Sequence, residues 1–82
     1  MQSVFAVKNA SSKPCISVNI DDERVFTCIL RNRASPSVFI DCGSIAVSVY
    51  DNHEKKFLDR WISVLPHRRN VLSVYDDFMT II

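Results

Sequence analysis

Cys42 stands beside the only glycine of the chain, Gly43, and two histidines, His53 and His67, follow it. A thiol with an imidazole is the residue set of nucleophilic acyl transfer, in which the base takes the thiol proton and backbone N–H groups stabilise the oxyanion. Here the spacing matches no such motif, and a small residue closing a strand is the simpler reading of Cys42-Gly43. The same side chains with Cys28 offer four donors for a zinc ion. Structural zinc sites present their ligands in close pairs, because two ligands on one turn share a geometry. Cys28, Cys42, His53 and His67 are spaced by 14, 11 and 14 residues, so no metal is expected, and no cofactor. Asp21-Asp22-Glu23 and Asp76-Asp77 read as solvated turn or helix surface before they read as acid–base pairs. One glycine cannot build a phosphate loop. The chain is therefore read as non-enzymatic, with no catalytic residue assigned.

Basic residues suggest a second chemistry. Lys13, Arg31, Arg33, Arg68 and Arg69, with His67, would make a nucleic-acid surface if they gathered on one face. Phe5, Phe26, Phe39 or Tyr50 on a sheet would then stack bases. The net charge of +1 gives no strong field to steer a polyanion, so these residues read first as loop solubilisers and core aromatics. Ser35-Pro36 after two arginines offers a phosphorylation site but reads more simply as a turn. Asn9-Ala10-Ser11 fits the glycosylation sequon and is taken as chance.

The odd cysteine count, Cys15, Cys28 and Cys42 without a C-x-x-C pair, indicates reduced, mostly buried thiols in a cytoplasmic or nuclear protein. The first residues lack the pattern of a signal peptide, and no apolar run reaches the roughly 18 residues needed to span a bilayer. Eighty-two residues read as one domain, with stability that depends on dense packing or a partner.

The elements follow from periodicity. Val and Ile total 18 against four Leu, a ratio that favours strands. Alternation marks five of them at Ser3–Lys8, Cys15–Ile20, Arg24–Arg31, Ser37–Asp41 and Ser44–Tyr50. In the third, Phe26, Cys28 and Leu30 share one face and Val25, Thr27 and Ile29 the other. "DDE" is short enough for a hairpin, and Gly43 is expected to take positive φ. Short connections favour an antiparallel meander.

Residues 51–65 then change character. Phe57, Leu58, Trp61, Ile62 and Leu65 form a helical stripe, Asp51 and Glu54 have capping-box spacing, and Pro66 ends the segment. This helix is expected to lie across the sheet with Trp61 buried. A second helix is expected over residues 71–82, with a strand at Val71–Tyr75 as the competing reading. The expected fold is thus α+β, five strands and two C-terminal helices; the alternative is a small β-barrel of PH-like or OB-like type with a C-terminal helix. A meander closed by a helix that bears a Trp is loosely similar to the pleckstrin-homology superfold. That likeness rests on element order and Trp61 alone, and the superfold has seven strands, not five.

One helix covers one sheet face, which leaves the other open. Function is therefore read as protein–protein interaction: a viral accessory protein or a small subunit of a larger assembly, self-associating as a homodimer. Phe5, Val25, Ile29, Tyr75, Phe78 and Ile81 are the expected interface residues. A nucleic-acid-binding β-domain is the alternative.

Overall fold

A computed structural model describes residues 1–82 and contains eight strands and no helix. The first five strands fall where alternation puts them: β1 (Gln2–Asn9), β2 (Cys15–Ile20), β3 (Glu23–Leu30), β4 (Val38–Asp41) and β5 (Gly43–Tyr50). β6 (Lys56–Val64), β7 (Arg69–Val74) and β8 (Met79–Ile81) replace the two expected helices. The α+β expectation fails for that reason. The small all-β alternative fits better, without its C-terminal helix.

The strands form two four-stranded sheets, ordered β4-β1-β7-β8 and β3-β2-β5-β6. One hydrophobic cluster joins them: Phe5, Val7, Leu72 and Val74 from the first sheet meet Ile16, Val18, Val47 and Val49 from the second. This is a β-sandwich. Hairpins join β2 to β3, β5 to β6 and β7 to β8, and the remaining connections change sheets. The β2–β3 hairpin matches expectation. Its two turn residues, Asp21 and Asp22, both have positive φ (49° and 66°), as a type I′ turn requires. Gly43 has φ 117°, again as expected. A meander does not form, because β1 pairs β7 in parallel over six positions, from Val4↔Arg69 to Asn9↔Val74.

The segment 51–65 is the main correction. Asp51 caps a turn, not a helix: its carboxylate accepts the amides of His53 (2.8 Å) and Lys55 (3.0 Å), and Glu54 turns the chain at φ 59°. From Lys56 the chain pairs with β5, setting Ala46 opposite Trp61 and Ile45 opposite Ile62. The inward row of β6 is Leu58, Ile62 and Val64, with Arg60 at the same parity but exposed at the sheet edge. Trp61 points outward and is 74 % exposed. The lid is absent, and the likeness to the pleckstrin-homology superfold goes with it. At 71–82 the competing strand reading prevails. Asp76-Asp77 occupies the turn of a hairpin, where Tyr75 N–H donates to the Phe78 carbonyl at 2.8 Å, instead of the polar side of a helix.

The third strand also departs from its expected faces. Phe26 and Ile29 are both buried, while Val25, Cys28 and Leu30 are exposed. A bulge explains the change. The β2–β3 register slips about Val18, and Cys28 takes φ 55°. One extra residue moves everything after it to the other face.

Two buried amides hold the ends of the sandwich. Asn70, fully buried on β7, donates through Nδ2 to the carbonyls of Val4, Leu65 and Arg68 (3.0–3.2 Å) and to Ser3 Oγ (3.2 Å). Its Oδ1 accepts the Leu65 amide at 2.9 Å. Asn9, fully buried at the far end of β1, accepts from the Ser11 amide and hydroxyl and donates to the Lys13 and Ile29 carbonyls. It forms an Asx-turn with its side-chain nitrogen already engaged, so the folded chain offers no glycosylation acceptor there.

Trp61 fluorescence is expected to be that of a water-exposed indole, and Trp61→Ala should change stability by no more than about 0.5 kcal/mol. Leu72→Ala, in the core, should cost about 2–5 kcal/mol; chemical denaturation compares the two. Asn70→Ala should cost about 2–3 kcal/mol, because several backbone groups lose their partner. Asn70→Asp should cost more, since a buried carboxylate cannot donate to those carbonyls.

Candidate binding surface at the β3 edge

Each sheet has two edges, and three of the four resist added strands. β8 has three residues and β4 four. β6 is longer but carries Arg60 in its inward row, a charge that discourages pairing. β3 is eight residues long. It has charges only at Glu23 and Arg24, and ends apolar.

The chain itself opens this edge. After Leu30 it leaves the second sheet and binds β1 of the first. The Asn32 amide donates to the Asn9 carbonyl (2.8 Å), the Ser35 amide to the Val7 carbonyl (2.7 Å), and the Val7 amide to Ser35 Oγ (2.9 Å). Lys8 and Ala34 form a bridge. Residues 33–36 are thereby held against the first sheet, while β3 stays in the second. An open groove of about 590 Å³ lies between them, with Val25, Leu30 and Pro36 among its apolar walls and Arg33 as its cation. A second hollow of about 420 Å³ starts at Val25 and runs to Phe39 on β4. Arg33 enters no ion pair; the two ion pairs of the chain are Arg24–Glu54 and Lys56–Asp59. Such a surface offers unpaired main chain, apolar side-chain pockets and a free positive charge.

The expected interface residues divide on inspection. Phe5 and Ile29 are core residues and cannot meet a partner. Ile81 packs against the core at β8. Tyr75 and Phe78 stack on each other, centroids 4.5 Å apart, in the β7–β8 turn. Val25 is exposed and belongs to the β3 surface. The expectation of a bare sheet face is corrected as well, because each sheet buries its inner face on the other. Alternation could have signalled Leu30 and Phe39 as outward residues. The groove depends on where residues 33–36 dock, and no local signal carried that.

The basic residues do not form one field. Lys13, Arg31 and Arg33 lie at the end of the sandwich where the Arg31 amide meets the Pro14 carbonyl. Arg68 and Arg69 lie at the other, where Ser3 Oγ donates to the Arg68 carbonyl and Arg69 donates to Ser37 Oγ. The ammonium of Lys13 sits over the Phe57 ring at 5.1 Å. Phe5 and Phe26, two of the proposed stacking rings, are buried. The thiol–imidazole pair is not assembled either. His53 is in the β5–β6 turn and Cys42 in the β4–β5 crossover at the opposite end, and no hydrogen bond joins Cys42 to His67. No group of three His, Cys, Asp or Glu converges as metal ligands. The thiols are not mostly buried as expected: Cys28 is exposed, and Cys15 and Cys42 are partly so.

The outer face of the second sheet is polar. Arg24 grips Glu54 with two bonds (2.9 and 3.2 Å), donates to Asn19 Oδ1 (2.6 Å) and lies over the Tyr50 ring. The guanidinium holds the Glu54 carboxyl below its ordinary range. The Lys55 amide does the same for Asp51, the Lys56 ammonium for Asp59 and the Ser12 amide for Asp76.

No protein-family model matches the chain, and no curated protein or solved structure matches it.

All four carboxylates have lowered folded-state values, so the stability they contribute is present above the ordinary carboxylate range and is lost as pH falls through the lowered values. Stability should hold at neutral pH and decline below about pH 4, as denaturation across a pH series would report. In an NMR titration, Arg24→Gln should raise the Glu54 midpoint toward that of a free glutamate and leave Asp76 unmoved.

Proposed function

We propose that this chain is a non-enzymatic protein–protein interaction module that accepts an extended segment of a partner along β3. The observation that carries the reading is the open groove between β3 and residues 33–36 beside the one long edge that bears no inward charge. An added strand takes its affinity from main-chain hydrogen bonds and its selectivity from alternate side-chain pockets. The partner segment this surface fits is apolar at alternate positions and carries an acidic group to meet Arg33. A second copy can also supply it: β3 against β3 about a twofold axis would make the homodimer, joined at this edge and not through Val71–Ile82. Both roles suit an accessory protein or a small subunit of an assembly.

An intracellular setting, cytoplasmic or nuclear, belongs to the same reading and rests on three unpaired cysteines. No helix of the chain is long and apolar enough to cross a membrane. Single-strand nucleic-acid binding is the weaker reading. It requires basic and aromatic side chains along one groove, and the cations here divide between two ends of a body 35 Å long.

Panning a displayed library of random peptides against the purified chain tests the proposal. Selected peptides should be extended, with alternate apolar residues and an acid, and should protect β3 amides from hydrogen exchange. Val25→Lys and Leu30→Lys should weaken them about tenfold or more while leaving stability within about 0.5 kcal/mol. Sedimentation distinguishes the occupants: a dimer that Leu30→Lys dissociates assigns the edge to a second copy. Peptides that protect other strands, or that both lysine variants bind unchanged, would overturn the reading.

A further inference from the structure

The bulge in β3 has a chemical consequence apart from the groove. Strict alternation from Phe26 would turn Cys28 inward. The bulge instead places Cys28 on the outer face of the second sheet, in a left-handed conformation (φ 55°) that a non-glycine residue adopts at some cost. Ser17 Oγ accepts its amide at 3.2 Å and so holds the bulge in place. Cys15 lies on the adjacent strand, opposite Leu30 and on the same outer face as Ser17. The two thiols meet across the strands, and a hydrogen bond between them is the first cause of the raised Cys15 pKa. Asp51 and Glu54 add to that shift, so Cys15 stays protonated while the exposed Cys28 faces solvent. The third thiol, Cys42, lies at the far end of the sandwich, its amide donating to the Met1 carbonyl.

We propose that Cys15 and Cys28 are a modification site: a cross-strand thiol pair that closes to a disulfide by exchange with a low-molecular-weight disulfide such as oxidised glutathione. The Cys28 thiolate attacks one sulfur of the reagent, forming a protein mixed disulfide and releasing one glutathione thiolate. Cys15 gives its proton to solvent and attacks the Cys28 sulfur, expelling the second glutathione. Two protein thiols are oxidised and one reagent disulfide is reduced to two thiols. Attack comes from the accessible thiol and resolution from its hydrogen-bonded neighbour, the order that thiol–disulfide exchange follows. Closing the bond requires only local movement at a bulge that already lies outside the regular ladder. The site is independent of what occupies the β3 groove.

The test is a peptide map of the folded wild-type chain after incubation with oxidised glutathione without denaturant. The expected product has lost two hydrogens, links the peptides of Cys15 and Cys28, and carries no glutathione on either. Cys42→Ser should give the same link. Cys15→Ser should stop at the first step and retain glutathione on Cys28, which shows the direction of attack. A wild-type chain that keeps glutathione on Cys28, that links either thiol to Cys42, or that joins two copies instead would overturn the proposal. The wild-type map decides the matter even if a serine variant folds poorly.

Discussion

The parallel ladder between β1 and β7 closes this fold. It brings the first strand of the chain beside the seventh and places both in the middle of the first sheet. Without it, β4 and the β7–β8 hairpin would be separate pieces, each too short to hold an apolar face. Parallel strands cannot be joined by a tight turn, so the intervening chain must go elsewhere. Here it builds the whole second sheet. Asn70 stands at the start of the ladder and holds β7 to Ser3 and Val4 of β1 and to the crossover from β6. Asn9 closes the other end, where β1, β2 and the exit from β3 converge. Every buried polar side-chain atom has a partner. In a small sandwich this matters, because one orphaned amide costs a sizeable fraction of the total stability.

The open edge follows from that closure. The chain must return from the second sheet to pair with β1, and it does so through residues 31–37. Those residues satisfy β1 and leave β3 facing a groove. The same strand carries the bulge that keeps Ile29 in the core and turns Cys28 to solvent. Packing, exposed edge and thiol chemistry therefore meet on one strand. A change there acts on more than one property, and single substitutions at Val25 and Leu30 are cleaner probes than those at Phe26 or Ile29.

The remaining surface carries isolated apolar side chains. Trp61 stands on the outer face of the second sheet and Phe39 on that of the first, the former opposite Ala46 and the latter opposite Val4. Single exposed apolar residues are ordinary on a folded protein. Those at β3 differ because they border concave space and unpaired main chain.

Local pattern was enough for the strands whose buried side chains alternate. Ile16, Val18 and Ile20, or Ile45, Val47 and Val49, leave one solution, since a slip of one residue would expose them all. The Asp21-Asp22 turn and the positive φ of Gly43 were legible for the same local reason. Residues 51–65 were not. Phe57, Leu58, Trp61, Ile62 and Leu65 fit a helical stripe better than an alternating one, and the strand wins only because β5 offers backbone partners along its whole length. Pairing is a tertiary fact, and it sends the largest side chain of the segment into water. The bulge at Cys28 is likewise invisible in a sequence whose alternation runs unbroken through it. It forms because Ile29 gains more from the core than Cys28 or Leu30 would. The roles of Asn9 and Asn70, the groove and the meeting of Cys15 with Cys28 all depend on which strands lie side by side. That choice is made by long-range burial and hydrogen bonding, which the periodicity of a single segment does not encode.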